Sequence, residues 1–579
     1  MITKVSTRYF KQFTDQEFDL ADHVILAGPN NSGKTTLLQA ITVWYLALQK
    51  WRERRGPESG SKARLRTGVP VTRQEFTALP LREMNDLWTD TLTGLRTDEL
   101  LEGQRLGQPR VLTIEVEGAT QQGPWRLAFE FRYQNTELVY VKPSSEHIDQ
   151  LPQAAQDISV VHIPPFSGIG PEETRYDRPY QDLLIGQGKA GDILRNLLLE
   201  VYEKEDKADW ESLCARIGDI FGYRLQPPKY GGAPFIVCEY LRGIPKSTGK
   251  NGLPELDIAS AGSGFHQVLL LLGFFFARPS TVLLLDEPDA HLHVILQKQV
   301  YDLLRSIASR RRCQLVIATH SEVLIDGTSP GQIVSFYRKP HILLSDTDRD
   351  QIREALKRLT ALDILLSEQS PGILYVEGET DFNLLRAWAQ VLSHPLSSWF
   401  TKCPFWHSNQ GRNPREAKGH YFALRAAGRE LPGALLLDGD NRGLPDREVT
   451  AEGLTVQRWE RYEAESYLMH PEALVRFVAS RMFPLMGDVA RRFLQDQLPP
   501  AVYRDPLAHH DFWVNTPASK TLLPALFQAV QLPLSKEEYY LIAEQMLPEE
   551  IPLEVGSKLE RMAELFGAER LVRSLVEPS

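Results

Sequence analysis

Cysteine is scarce in this 579-residue chain, with only Cys214, Cys238, Cys313 and Cys403, and none of them forms a C-x-x-C pair. That spacing excludes a disulfide framework and a cysteine zinc site, and it suits a reducing compartment, so the cytoplasm is the expected location. Long apolar runs are also missing. The longest, residues 268–277, is too short to span a bilayer and reads as a buried helix. Residues 1–22 carry charges and hold no secretory apolar segment, so no membrane partner is expected. Positive charge is in deficit: 65 Lys and Arg stand against 75 Asp and Glu, a net charge of −10. This excludes a basic nucleic-acid coat but not a local basic groove. Two basic patches stand out, one with Arg52, Arg54, Arg55, Lys62, Arg64, Arg66 and Arg73, the other Arg310, Arg311 and Arg312. Their plain reading is solvated surface. No internal repeat or low-complexity tract is present. What remains is ordinary for a globular protein, 42% hydrophobic and 24% charged. At about 150 residues per domain the length suggests roughly three to four units.

Periodicity orders the chain. Residues 24–28 form a short apolar strand, followed by a Gly/Asn/Ser turn and a helix over 35–51. Residues 57–73 read as an exposed loop, and 110–142 alternate as paired strands. Residues 192–219 are helical in pattern. Residues 281–285 and 315–318 are fully apolar strands, as at the centre of a parallel sheet. Residues 340–370 read as a strand and a charged helix joining two halves. Apolar strands return at 373–376 and 434–437, each ending in acids, and the pattern beyond Glu463 is helical.

Residues 28–35 read G-P-N-N-S-G-K-T. A strand delivers this loop, its glycines let backbone N–H groups curl around phosphate, and the next helix presents its positive end. Gly28, Asn30, Asn31, Ser32, Gly33 and Thr36 are expected to cradle ATP, with Lys34 on the β- and γ-phosphates and Thr35 on Mg²⁺. Residues 281–287, T-V-L-L-L-D-E, release Asp286 at a strand end to meet the same Mg²⁺. Glu287 follows, placed to orient or deprotonate the attacking water.

Two further pieces follow in order: A-S-A-G-S-G-F at 259–265, and His320 in I-A-T-H-S. Together with the loop and the acidic strand they resemble the ABC-type ATPases, including SMC-like and recombination-repair members. The resemblance implies that Ser260, Gly262 and Ser263 are the signature motif, His320 the switch histidine, and Pro288, Asp289, Ala290 and His291 the D-loop. The signature departs from L-S-G-G-Q, with Ala259 in place of Leu and Ser263 in place of Gln, and is close to the S-x-G-S-G-F form of the OLD (overcoming lysogenization defect) ATPases. It further implies that the signature of one subunit closes over the nucleotide of its twin, hence a homodimer or higher assembly. Gln74 is the candidate for the magnesium-sensing glutamine. The stretch between Lys34 and Ser260 is longer than a minimal head needs, which points to a helical insertion over 170–235 that could serve dimerisation.

A second acidic set lies downstream. Residues 373–381 read I-L-Y-V-E-G-E-T-D and 434–440 read A-L-L-L-D-G-D. Each is an apolar strand that releases carboxylates at its C-terminal end, where open α/β sheets place their sites. Glu377, Glu379, Asp381, Asp438 and Asp440 are hard oxygen donors that select Mg²⁺, Mn²⁺ or Ca²⁺. The arrangement resembles the TOPRIM fold of primases, topoisomerases and OLD-family nucleases. E-R-Y-E-A-E-S-Y-L at 460–468 resembles the E-x-E-N-Y-L element of OLD relatives, with Ser466 in place of Asn. The resemblance implies Glu377, Asp438 and Asp440 as core ligands, Glu463 and Glu465 as a second metal site, and Lys520 as a basic residue near the scissile phosphate. His509, His510 and Asp511 read as exposed loop residues.

The expected fold is therefore α/β: an ABC/SMC-like P-loop ATPase head over 1–345, a linker over 346–369, a TOPRIM domain over 370–480, and a helical C-terminal region over 481–579 that completes the TOPRIM half. The expected function is an ATP-hydrolysing, metal-dependent nuclease acting on DNA, in phage defence or DNA processing, with a defence-operon protein as a potential partner. Two alternatives stay open: a non-cutting ATP-driven DNA sensor or repair clamp, and an effector that cuts RNA or tRNA. A topoisomerase would need a tyrosine-bearing domain that the sequence does not show, and a transporter ATPase would leave the second acidic set without a role.

Overall fold

The computed structural model describes residues 1–55, 68–77, 79–96, 108–121, 123–242, 254–337, 339–409, 414–427, 431–440 and 453–567. Lys62, Arg64 and Arg66 of the first basic patch lie outside these residues. The chain divides into two compact units, 1–353 and 354–579, and the segment expected as a linker forms the helices Asp346–Arg358 and Ala361–Gln369.

Two six-stranded sheets build the first unit. One is antiparallel, in the order β2 (Phe13–Asp19), β1 (Ile2–Phe10), β5 (Leu112–Thr120), β6 (Gly123–Asn135), β7 (Leu138–Pro143), β4 (Val69–Thr72). The other runs β15 (His341–Ile342), β14 (Ile333–Ser335), β3 (His23–Ala27), β13 (Gln314–Thr319), β12 (Val282–Asp286), β8 (Val160–Ile163), parallel throughout except at β15. The central strands β12 and β13 are buried at every position, which is why they read as unbroken apolar runs rather than alternations. The helix Lys34–Arg55 shares one core with residues of both sheets. Trp44 at its middle stacks on Trp125, its ring edge meets Phe129, and its indole N–H donates to Leu127 O at 2.9 Å.

One side chain brackets the two sheets. Gln314, at the start of β13, accepts from Ile2 N–H at 2.7 Å and donates to Ile2 O at 2.7 Å and Ala21 O at 2.8 Å. Among the described residues, the region between β8 and β12 holds four α-helices, Arg178–Gly186, Leu194–Glu203, Ala208–Phe221 and Ser263–Ala277, and a small sheet of β11 (Leu256–Asp257), β10 (Glu239–Arg242) and β9 (Tyr223–Leu225). The second and third of these helices pack on Ser263–Ala277, which is buried from Phe265 to Ala277 as its apolar run requires.

The second unit is a four-stranded parallel sheet, β17 (Trp406–Ser408), β16 (Ile373–Val376), β18 (Gly433–Leu437), β19 (Leu454–Arg458). Its larger core joins Leu374 and Leu436 to Trp388, Trp399, Trp459 and helices reaching as far as Leu553–Phe566. The C-terminal helices therefore complete this unit's core rather than trailing from it. A smaller core, with Tyr375, Phe405, Tyr421 and Leu435, covers the other face. There Tyr375 OH lies 2.9 Å from His420 Nδ1, and His420 Nε2 lies 3.6 Å from Asp363. Burial alone would raise the Asp363 carboxyl. The nearby His420 ring and the bonds from the N–H and hydroxyl of Thr360 outweigh it and hold it at about 2.

Gln314→Ala would strand two buried backbone groups and one half-buried one, so it is expected to cost about 2–4 kcal/mol in denaturant unfolding. An unchanged midpoint would show that the bracket is idle. A depressed carboxyl stabilises the fold above its unfolded pKa and loses that effect as pH falls through its folded pKa. The contribution of Asp363 should therefore disappear between about pH 4 and 2, and Asp363→Asn should cost about 2 kcal/mol at pH 7 while flattening the acid limb in that window.

Candidate functional site

Three neighbouring parallel strands end at one level. In the pairing of β3 with β13, Ala27 stands opposite Thr319, and in that of β13 with β12, Ala318 stands opposite Asp286. The loop from Gly28, His320 and the Asp286–Glu287 pair therefore leave the sheet side by side. The loop turns sharply onto the helix. Gly33 has φ +105°, and a Cβ there would meet Gln12 Nε2 at 2.2 Å and the Phe13 ring at 2.7 Å, so only glycine fits. Asn31, Glu287 and His291 also take left-handed backbone conformations, at φ 63°, 49° and 64°. Such strain in non-glycine residues gathers at working sites.

Polar side chains meet in the cavity above these ends, a space of about 820 Å³. Asn30, Asn31, Ser32, Gly33, Lys34, Thr35 and Thr36 line it together with Asp286 and Glu287. Lys34 Nζ donates to Gly28 O and Pro29 O, both at 2.7 Å. Burial lowers its pKa, opposed by Glu287 and Asp286. Thr35 Oγ1 donates to Asp286 Oδ1 at 3.0 Å. Desolvation lifts the Asp286 carboxyl to about 6, helped by Glu287 and opposed by the Thr35 bond and Lys34. A hydroxyl and a carboxylate held together at the end of a phosphate-type loop are the hard oxygen set that Mg²⁺ takes. His320 Nδ1 lies 3.4 Å from Glu287 Oε1, which lowers the acid and raises the histidine. Asp289 is fixed by Thr319 Oγ1 at 2.6 Å.

Ser260, Gly262 and Ser263 lie elsewhere. Gly262 caps the helix Ser263–Ala277, all three are exposed, and none lines the cavity. The neighbouring chain at His291–Leu292 approaches Gly264, and the exposed Val294 and Ile295 follow it. Gln74 is exposed on a short 3₁₀ turn and does not line the cavity either. Gln12, Gln39 and His162 do, and none of the three was marked by a motif.

In the second unit the acidic strand ends converge. The D-G-D turn after β18 nests against the backbone that follows β19. Asp440 N–H donates to Tyr462 O at 3.2 Å, and Ala464 N–H donates to Asp438 Oδ1 at 3.3 Å. Gly439 is obligatory here, because a Cβ would lie 2.1 Å from Arg461 O. Desolvation, reinforced by Asp381, Glu377, Glu465 and Glu463, holds the Asp438 carboxyl far above its ordinary range. Burial with Glu465 and Glu377 raises Asp381 to about 7, against a bond from Gly378 N–H. Glu463 accepts from Ser519 N–H at 2.5 Å. Glu379 is exposed, and the charges acting on Asp438 do not include it.

The basic residue among these acids is Lys536, not Lys520. Lys536 Nζ lies 2.7 Å from Glu465 Oε1 and also feels Glu463 and Asp381, whereas Lys520 is exposed. Lys536 sits in an ordinary L-S-K-E-E stretch with no motif to mark it. The donors have the chemistry a hard cation takes. Among the described residues, however, no three acidic, histidine or cysteine side chains stand together as a metal-holding group.

The level strand ends, the loop and the Thr35–Asp286 contact define a P-loop ATPase domain. Residues 24–326 match the family described as "AAA domain, putative AbiEii toxin, Type IV TA system", and the chain belongs to that family. Solved structures similar to it include the SMC head domain from Thermotoga maritima, at 14% identity and a TM-score of 0.31 over 58% of this chain and 94% of that one. The SMC head with an extended coiled coil from Pyrococcus furiosus, bound to the C-terminal domain of ScpA, gives 14%, 0.34, 62% and 99%. The SMC head with a coiled coil and joint from Pyrococcus yayanosii gives 12%, 0.35, 62% and 99%. No curated protein matches the sequence. Among the described residues no helix is long and apolar enough to cross a membrane.

Gly439→Ala should force the D-G-D turn away from residues 459–462. It is expected to cost about 2–4 kcal/mol, read as a melting temperature lower by several degrees. A variant that melts like the wild type would mean the turn is not held there.

Proposed function

We propose that the protein hydrolyses ATP with Mg²⁺ and uses its second unit as a metal-dependent nuclease of the OLD type, acting on DNA. The ATPase reading rests on the shared level of Lys34, Asp286, Glu287 and His320. Lys34 neutralises phosphate charge, and Glu287, held by His320, takes the proton of the attacking water. The signature residues Ser260, Gly262 and Ser263 lie outside their own chain's cavity, on a face with exposed Val294 and Ile295. That placement supports a homodimer in which they close over the partner's nucleotide.

The nuclease reading rests on one observation: the 463–465 segment docks on the D-G-D turn, so that Glu377, Asp381, Asp438, Glu463 and Glu465 act on one another. A divalent cation bound there would neutralise this charge and polarise water beside a phosphodiester. Glu377, Asp438 and Asp440 would hold it, and Lys536 would face the phosphate. The non-cutting clamp has an observation of its own in its favour, since the Lys536 ammonium already offsets Glu465.

The test is incubation with supercoiled plasmid, single-stranded DNA and tRNA, with Mg²⁺ or Mn²⁺ and with or without ATP, beside Lys34→Ala and Asp438→Ala. DNA cleavage abolished by Asp438→Ala is expected, with ATP hydrolysis lost in Lys34→Ala. Cleavage of tRNA alone would reassign the substrate. Intact ATPase with no cleavage of any substrate would leave the clamp.

A further inference from the structure

One polar residue on the wall of the nucleotide cavity has no place in this scheme. His162 lies on β8, opposite Leu284 of β12. Residues opposed in a parallel pair point to the same face, and so do residues two apart on a strand. His162 therefore faces the same side as Asp286, one strand over. It lines the nucleotide cavity with Lys34, Thr35 and Glu287. It also lines a second chamber of about 160 Å³ behind, bounded by Thr42, Tyr45, Arg278 and the end of the helix Arg178–Gly186. Ile185 and Gly186, from the end of that helix, border both spaces.

Its ring is under tension of a chemical kind. Nε2 is buried and has no hydrogen-bond partner among the described residues. Buried polar atoms almost always have one. Burial also pushes the imidazole down to about 4, so it is neutral at neutral pH and keeps one N–H donor and one acceptor nitrogen. A neutral ring can bond to a phosphate oxygen or to a water without the cost of burying a charge.

We propose that His162 is a nucleotide-site residue, whose ring takes its missing hydrogen bond from the terminal phosphate of ATP or the attacking water and so aligns them for hydrolysis. This rests on the ATPase reading.

The experiment is steady-state ATP hydrolysis by the full chain with Mg²⁺, together with thermal melting, for His162→Phe and His162→Gln. Phe keeps the ring packing and removes both nitrogens, and Gln keeps a polar end of similar reach. His162→Phe should lose at least about tenfold in kcat, with KM for ATP within about threefold and melting unchanged or raised, since an interaction made only on the way to reaction lowers kcat alone. His162→Gln should stay within about threefold of wild-type kcat. Wild-type turnover in His162→Phe would overturn the proposal, as would His162→Gln falling as far as His162→Phe. Should the Phe variant fail to fold, His162→Leu, which also removes both nitrogens, takes its place under the same thresholds. A wild-type chain with no turnover would overturn the ATPase reading itself, a result distinguishable from a defect confined to the variants.

Discussion

The parallel register of β3, β13 and β12 is the constraint on which the first unit depends. A parallel sheet brings every strand's C-terminal end to the same edge, and with Ala27, Thr319 and Asp286 almost level the groups that leave these strands need little further arranging. Small departures at the strand ends do the rest. Glu287 turns through a left-handed conformation directly after β12, which brings its carboxylate within 3.4 Å of the histidine that ends β13. The antiparallel sheet and the long helix hold the frame, and Gln314 ties the first strand of one sheet to the central strand of the other.

Both units face the same electrostatic problem and meet it in similar ways. Acids gathered at strand ends repel one another, and burial raises the cost of each charge. In the first unit Lys34 sits among Asp286, Glu287 and Asp289. In the second, Lys536 sits among Glu463, Glu465 and Asp381. Burial first, and the neighbouring acids second, raise the Asp286, Asp381 and Asp438 carboxyls despite these ammonium groups.

Much of this was legible in the sequence because the signals are local. An apolar strand followed by a glycine-rich turn and a Lys-Thr pair specifies its own geometry, and so does a strand ending in two acids. The apolar run 268–277 correctly read as a buried helix. Residues brought in from a distance were not legible. Lys536 is an unremarkable lysine until the C-terminal helices fold back on the sheet, whereas Lys520 stays exposed and it is the backbone of its neighbour Ser519 that reaches Glu463. Gln74 is exposed and outside the cavity wall, to which the same stretch sends Leu79 and Pro80 instead, while Gln12, Gln39 and His162 reach that wall from the β1–β2 turn, the long helix and β8. His162 sits in a V-V-H-I strand, where a lone histidine gives no cue. Glu379 follows Glu377 by two residues, but Gly378 intervenes and the helix that starts there leaves Glu379 exposed.

The size of the second unit follows from its chemistry. A four-stranded sheet with five interacting acids at one edge is poorly placed to be stable alone, since each buried like charge subtracts from a margin of only about 5–15 kcal/mol. The helices after Glu465 offset this in two ways. They bury Phe477, Phe527, Met562 and Phe566 against the same core as Trp388 and Trp399. They also pin the acidic segment from behind. Tyr467 donates to Glu554, Glu460 N–H donates to Glu554 at 2.9 Å, and Arg461 lies over the Tyr467 and Trp513 rings at 4.7 and 5.2 Å. Glu463 and Glu465 stay beside Asp438 because residues 460–467 are anchored on the far side by this aromatic and acidic grip. A chain lacking these helices would lose much of the sheet's larger core together with the force that holds the acids in place.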